Sequence, residues 1–273
     1  MASIHRVVAA YFSPTGNTQK VVMTIASFMA NTLNSPLDIV DFTVASKREM
    51  DIICDAHKLL VVGLPTYAGR LPNKILPFVQ THIKGCNSIA IPIVTFGNRS
   101  MDESLKELCL ELDTNGFIIP AAAGIVTEHV FSEHLGSGRP NSQDISDLEH
   151  FALHCCEKLE SNDWAAVTFY KESPLGDYYK PLKADGTPAR FLKAKPKTHT
   201  DLCINCGLCA SNCPMGAIDA VDTTVITGTC IKCHSCIKCC PSHAKYFDDD
   251  DFLSHVTMLE ANYKRVTHST FCI

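Results

Sequence analysis

The sequence predicts an α/β chain in two unequal parts: a doubly wound, five-stranded parallel sheet, then a small cysteine-rich α+β unit. Three observations carry this. Apolar runs of strand length alternate with helical repeats through the first 161 residues. A stretch punctuated by Pro174, Gly176, Pro181, Gly186, Pro188 and Pro196 follows. Nine of the chain's 15 cysteines then fall between Cys203 and Cys240.

Composition bounds what these parts do. A chain of 273 residues, 46% hydrophobic, has room for two domains with packed cores. No apolar run approaches the length of a membrane span. A net charge of −5 argues against nucleic acid as a general partner. The opening Met1-Ala2-Ser3-Ile4-His5-Arg6 leads into a strand rather than a secretory leader, so a reduced, cytoplasmic setting is expected. Cys54, Cys86, Cys109, Cys155, Cys156 and Cys272 read as small core residues.

Residues 5–13 form the first expected strand, followed at once by Ser13-Pro14-Thr15-Gly16-Asn17-Thr18. Val21, Val22, Ile25, Phe28 and Met29 then repeat at helical spacing. A hydroxyl-rich loop between strand and helix holds an anion with backbone N–H groups and the Ser13, Thr15 and Thr18 hydroxyls, while Gly16 permits a close turn. An ordinary turn with a capping threonine is the alternative. Leu37 to Thr43 is the second strand, and His57 to Pro65 the third, running into Thr66-Tyr67-Ala68-Gly69-Arg70. Ser88 to Phe96 is the fourth, ending Thr95-Phe96-Gly97-Asn98-Arg99. The next helix is expected to start with a capping box at Ser100 and Glu103 and to stop at Gly116. Phe117 to Val126 is the fifth strand, and the stripe Ile145, Leu148, Ala152, Cys155, Leu159 is the closing helix.

In such a sheet, ligands sit at the carboxyl ends of the strands, where the three special loops gather. Residues 1–161 resemble the flavodoxins, a flavodoxin-like FMN-binding domain. By that resemblance Ser13, Thr15, Gly16, Asn17 and Thr18 hold the FMN phosphate. Pro65, Thr66, Tyr67 and Ala68 pack beside the isoalloxazine, with Tyr67 as the stacking residue, and Thr95, Phe96, Gly97, Asn98 and Arg99 line its polar edge. Arg70 and Arg99 either place a cation near the ring, which raises the potential, or form surface salt bridges. His129, in Thr127-Glu128-His129-Val130-Phe131, is a candidate proton donor beside Arg99, or a structural histidine.

Residues 162–197 read as a basic linker draped on the surface and packed by aromatic residues. The cysteines follow as Cys203, Cys206, Cys209, Cys213-Pro214 and Cys230, Cys233, Cys236, Cys240-Pro241, each run with the form C-x2-C-x2-C-x3-C-P. This pattern resembles the bacterial two-cluster ferredoxins, whose fourth cysteine ligates the other [4Fe–4S] cluster. Cluster I then takes Cys203, Cys206, Cys209 and Cys240; cluster II takes Cys230, Cys233, Cys236 and Cys213. Cys239 competes with Cys240, and structural zinc is the alternative metal. The ferredoxin-like unit spans 198–247, and 248–273 is a helical tail whose apolar side is Leu253, Val256, Leu259 and Tyr263.

As a whole the chain resembles the flavodoxin–ferredoxin fusion proteins of anaerobic bacteria and archaea. The resemblance implies an oxidoreductase or electron-transport role with FMN and two [4Fe–4S] clusters. One expectation is a low-potential carrier between redox protein donors and acceptors, consistent with the lack of a G-x-G-x-x-G fingerprint after the first strand. The other is a ferredoxin-fed FMN reductase of a small molecule, with Arg99 and His129 at the substrate. A non-redox scaffold has no positive sign.

Overall fold

The computed structural model describes residues 4–161 and 164–273; the predicted opening at Met1–Ser3 and the first two residues of the predicted linker, Asn162 and Asp163, lie outside the described residues. In chain order the elements are β1 (Arg6–Tyr11), α1 (Asn17–Thr32), β2 (Leu37–Asp41), β3 (Ile52–Cys54), β4 (Lys58–Pro65), α2 (Leu76–His82), β5 (Ile83–Gly85), β6 (Ser88–Phe96), α3 (Ser104–Thr114), β7 (Phe117–Ile118), β8 (Ala122–Val126) and α4 (Ser142–Glu160). Then come β9 (Lys197–Thr198), α5 (Leu208–Ser211), α6 (Ser235–Lys238), β10 (Lys245–Tyr246), α7 (Asp250–Asn262) and β11 (Thr270–Cys272).

The main sheet runs β2-β1-β4-β6-β8 in parallel, with β11 added antiparallel beyond β8 and β7 beside the start of β6. Counting only the five parallel strands, the order is 2-1-3-4-5, the flavodoxin-like doubly wound order. Both faces are covered, so the central strands are continuously apolar; all nine residues of β6 are buried. Along β1, Val7, Ala9 and Tyr11 pack under α1 and α4, while Val8 and Ala10 pack on the opposite side with the α3 residues Leu105 and Leu108.

Several expectations change. The fifth strand is broken at Ile119-Pro120-Ala121: Pro120 has no N–H to give a ladder, and Val167 of the connection donates to the Ile119 carbonyl instead. There is no capping box at Ser100 and Glu103. Helix α3 starts at Ser104 without a side-chain cap, and Ser100 Oγ accepts from Asp102 N in a local turn. The capping box stands at Asn141 and Asp144 of α4, where both reciprocal bonds form. Helix α7 is capped by Asp249, whose side chain accepts from Phe252 N within the acidic run Asp248–Asp251. Its buried side is Phe252, His255, Met258 and Leu259, whereas Leu253 is 46% exposed. The tail is also more than helical, because β11 returns to the main sheet with Thr270 opposite Gly124.

The connection from 164 to 196 is mostly exposed, but it is anchored. Tyr170 is fully buried in the sheet's core, and Phe191 packs with Phe252 and Phe247. The cysteine-rich region has little regular structure: β9 and β10 are two residues each, and α5 and α6 are single turns. Among the described residues no helix is long and apolar enough to cross a membrane.

Candidate functional site

The loops after β1, β4 and β6 surround a cavity of about 530 Å³, a size suited to a cofactor. Of the expected FMN residues, Thr15, Asn17, Thr18, Pro65, Thr66, Tyr67, Ala68, Thr95, Phe96, Gly97 and Arg99 line it. Ser13 and Gly16 do not; they shape the loop. Ser13 Oγ accepts from Gln19 N at 2.9 Å and Ser13 N donates to Thr43 Oγ1 at 2.9 Å. Gly16 turns at φ +90° directly before α1, with no atom within 4 Å of where a Cβ would stand. No acidic residue occupies the first turn of α1, so that end is electrostatically open to an anion. Thr18 at the start of α1 and Thr95 of β6 are joined through a buried 2.7 Å hydroxyl pair.

Asn98 is a correction. Its side chain is turned to the tail, donating to the Tyr263 and Arg265 carbonyls and accepting from Thr267 N. It holds the C-terminal segment and does not line the cavity. Arg70 also faces away: it pairs with the buried Glu107 at 2.6 Å and donates to the Gly176 carbonyl. Tyr67 and Arg70 close a tight turn by exchanging backbone hydrogen bonds, with Ala68 at φ 49° and Gly69 at φ 75°. A Cβ on Gly69 would stand 2.4 Å from Asp102 Oδ2.

Arg99 pairs with Asp102 and stacks on Tyr179, 3.9 Å from its ring centre. His129 packs against Gly97, where a Cβ would stand 2.5 Å from the His129 Cα. The Phe131 N–H donates to His129 Nδ1 at 3.1 Å, so the neutral ring carries its proton on Nε2. Burial pushes this imidazole down to about 4, with His255 and Arg99 adding to the shift. It is therefore a neutral N–H donor in the cavity wall near pH 7.

The eight cysteines gather in two rings. One small cavity is lined by Cys203, Cys206, Cys209 and Cys240, the other by Cys213, Cys230, Cys233 and Cys236. Each ring takes three cysteines from one run and the fourth from the other; Cys239 lines neither. Among the described residues no three His, Cys, Asp or Glu groups converge as they would on a single ion. Four sulfurs spread around a void suit a cubane better than a zinc ion, which needs each sulfur about 2.3 Å from one point.

The two runs repeat one backbone. Asn205 and Lys232 are left-handed at φ 51° and 57°, Gly207 and His234 at 73° and 59°, Gly216 and His243 at 56° and 51°. These turns aim amides at sulfur: Ala217 N donates to Cys213 Sγ and Ala244 N to Cys240 Sγ, both at 3.3 Å. Such N–H···S bonds are among the determinants of cluster potential.

The large cavity has further walls the sequence did not disclose. Tyr178, Tyr179, Phe191 and Leu192 of the connection cover it, and His255 and Leu259 of α7 close its back. Thr229, Cys230, Ile231 and Lys232 line both this cavity and the second cysteine ring. The aromatic residues of the connection were legible as packing; that they pack over the sheet's loops depends on contacts far apart in sequence. Tyr179 N, for example, donates to the Ala68 carbonyl at 2.8 Å.

Two family models match, each described as a 4Fe-4S binding domain, at residues 196–219 and 227–248. No curated protein matches the chain. Among solved structures, rubredoxin oxygen:oxidoreductase from the anaerobe Desulfovibrio gigas is similar at 18% identity and TM-score 0.40, over 60% of this chain. The chain spans only 38% of that protein's length. A flavodoxin from the domain Archaea is similar at 14% identity and TM-score 0.40, covering 57% of this chain and 99% of that one. A flavodoxin of Streptococcus pneumoniae TIGR4 is similar at 20% identity and TM-score 0.39, covering 56% and 99%. With the strand order above, the chain joins a flavodoxin-like α/β fold to two 4Fe-4S binding domains, a combination built for redox chemistry.

Proposed function

We propose that this protein carries electrons between two [4Fe–4S] clusters and FMN, exchanging them with other redox proteins at low potential. The observation that carries the reading is the shared wall. Thr229 to Lys232 border both the second cysteine ring and the cavity at the sheet edge, so one loop would separate cluster II from the flavin. Bound FMN supplies an acceptor of one or two electrons, and each cluster supplies one.

The residues divide the work. Cys203, Cys206, Cys209 and Cys240 would hold cluster I; Cys213, Cys230, Cys233 and Cys236 would hold cluster II. The loop at Thr15, Asn17 and Thr18 binds phosphate at the start of α1. Tyr67 and Phe96 flank the ring, and Gly97 lets His129 close in. Cys206 is exposed, so cluster I is the port for a protein partner and cluster II the relay. The working division is 1–161 for flavin, 162–197 as connection, 198–247 for the clusters and 248–273 as the tail.

A second reading keeps the same site and ends the chain of transfer on a small molecule. It is favoured by Arg99 and His129 lining one cavity, with His129 as a neutral donor to an acceptor's developing charge. Turnover lost in His129→Ala or Arg99→Ala with FMN retained would locate that site.

The test uses full-length protein reconstituted anaerobically, expected to bind about eight iron atoms and one FMN. A reduced iron–sulfur donor protein should bleach the flavin rapidly. Cys206→Ala should lose cluster I, slow that bleaching at least tenfold, and keep FMN. Loss of flavin with all iron retained would sink the assignment.

A further inference from the structure

From the sequence, Arg70 and Arg99 are candidates for a cation near the flavin, with surface salt bridges as the alternative. Both are spent elsewhere: Arg70 is held by Glu107 outside the cavity, and Arg99 by Asp102 and the Tyr179 ring. Of the other cations on the cavity wall, Lys74 is exposed and screened by water. Lys232 is not. It is half-buried between the two cavities and, among the described residues, has no carboxylate within ion-pair distance. Asp249 acts on it only through space.

We propose that Lys232 is the cation that sets the flavin's potential and couples it to cluster II. The proposal rests on the reading of the large cavity as the FMN site and of the second cysteine ring as cluster II. The Lys232 ammonium donates to the Leu192 carbonyl at 2.8 Å and reaches the Cys230 carbonyl at 3.5 Å. An ammonium has three donors, so one remains for the cavity. The Lys232 backbone N–H donates to Cys230 Sγ at 3.4 Å. One residue thus touches the covering connection, the cluster loop and the flavin cavity.

Its backbone supports a selected role. The equivalent place in the first run is Asn205, at φ 51°, and asparagine tolerates the left-handed region well. Lys232 takes the same conformation at φ 57°, where an unbranched but bulky side chain is uncommon. A strained position occupied by an unsuited residue points to what its side chain does.

The physics is direct. Each transfer would oxidise cluster II by one electron and reduce the flavin by one. Negative charge arrives first on one side of Lys232 and then on the other. A fixed cation between them favours both reduced forms and weakens their mutual repulsion, most strongly where water is excluded. The lysine thereby raises the flavin potential and, on its other side, that of cluster II.

The experiment is a potentiometric titration of the reconstituted full-length protein, followed by flavin absorbance and by the EPR signals of the clusters. Lys232→Asn imports the residue of the first run and keeps the loop's conformation. It should weaken the binding of reduced relative to oxidised FMN about tenfold, a fall of about 30 mV for a two-electron couple. The cluster II potential should fall with it, and Lys232→Arg should restore most of both. If Lys232→Asn does not load, Lys232→Gln keeps a longer stem and is read by the same two outcomes. An unchanged flavin potential, with iron and FMN at full stoichiometry, overturns the proposal. A wild-type protein that binds no FMN or no clusters would instead overturn the functional reading beneath it.

Discussion

The sheet region and the cysteine-rich region are stabilised by different means. Residues 6–160 pack two apolar layers around central strands, with β6 buried along its whole length and β4 from Leu59 to Leu64. Residues 198–247 have no comparable core. One of their buried groups is Cys209, Ile218 and Cys236, and two of those three are proposed metal ligands. Their ladder is two residue pairs, Lys245 with Thr198 and Tyr246 with Lys197. A unit of about 50 residues with so little apolar surface to bury needs another source of folding free energy. Metal–thiolate bonds are that source, because ligands are preformed only in the folded state. The sheet is held by burial, and the cluster region by its cofactors.

The largest expected effect breaks the two regions apart. Anaerobic removal of iron with a chelator should abolish hydrogen-exchange protection across 198–247 and leave the strands of the sheet protected. The two clusters should not be equivalent for the flavin. Cys233→Ser should weaken FMN binding about tenfold or more, because the loop from Thr229 to Lys232 is also a cavity wall. Cys206→Ala should change it little, since that residue lines only the first ring. Equal FMN loss in both variants, measured by flavin fluorescence, would mean that cluster II does not organise the wall.

The same contrast explains what could be read in advance. In the sheet, the alternation of apolar runs with helical stripes marks the parallel strands because the central ones must be buried on both faces. In the cluster region, spacing alone carries the message, since a cubane demands that spacing. What could not be read are contacts that depend on distant returns of the chain. Thr270–Cys272 is too short to signal a strand and becomes one only because the edge of β8 is available. Asn98 lies in the loop after β6, whose neighbours Gly97 and Arg99 line the cavity, yet its side chain is taken by carbonyls at Tyr263 and Arg265. Lys232 is one loop residue among several in sequence, and its place between two cavities exists only once the regions dock. The docking has its own fastener: Arg48 donates to the Phe42 and Thr43 carbonyls on the sheet side and to the Pro214 carbonyl beside Cys213.

His129 gives an effect of middle size, read through pH. Its folded-state value is about 4, against an ordinary value of 6.5. Between those values the unfolded chain binds a proton that the folded one does not, so stability rises with pH across that window. The contribution is fully present above about pH 6.5 and is lost as pH falls towards 4. At roughly 1.4 kcal/mol per unit, discounted for cavity water, its loss amounts to roughly 2 kcal/mol. His129→Gln should therefore flatten the fall in stability between pH 6.5 and 4, as measured by urea unfolding of the cluster-loaded protein. A variant with the wild-type pH dependence would move that linkage to other groups.

The smallest expected effect sharpens the comparison inside the sheet region itself. Two sites there carry the composition of a helix start, Ser100 with Glu103 and Asn141 with Asp144. In the first, the Ser100 hydroxyl is spent on the Asp102 N–H within a turn, and Asp102 is committed to Arg99. No orphan amide of α3 depends on it. In the second, Asn141 Oδ1 accepts from Asp144 N, Asp144 accepts from Asn141 N, and Arg139 pairs with the same carboxylate. Asn141→Ala should then cost about 1 kcal/mol and Ser100→Ala only a few tenths. Urea midpoints of the two variants, compared at equal slope, measure the difference. Equal midpoints would show that α4 is held by the apolar stripe from Leu148 to Leu159 alone, with its cap contributing geometry and no stability.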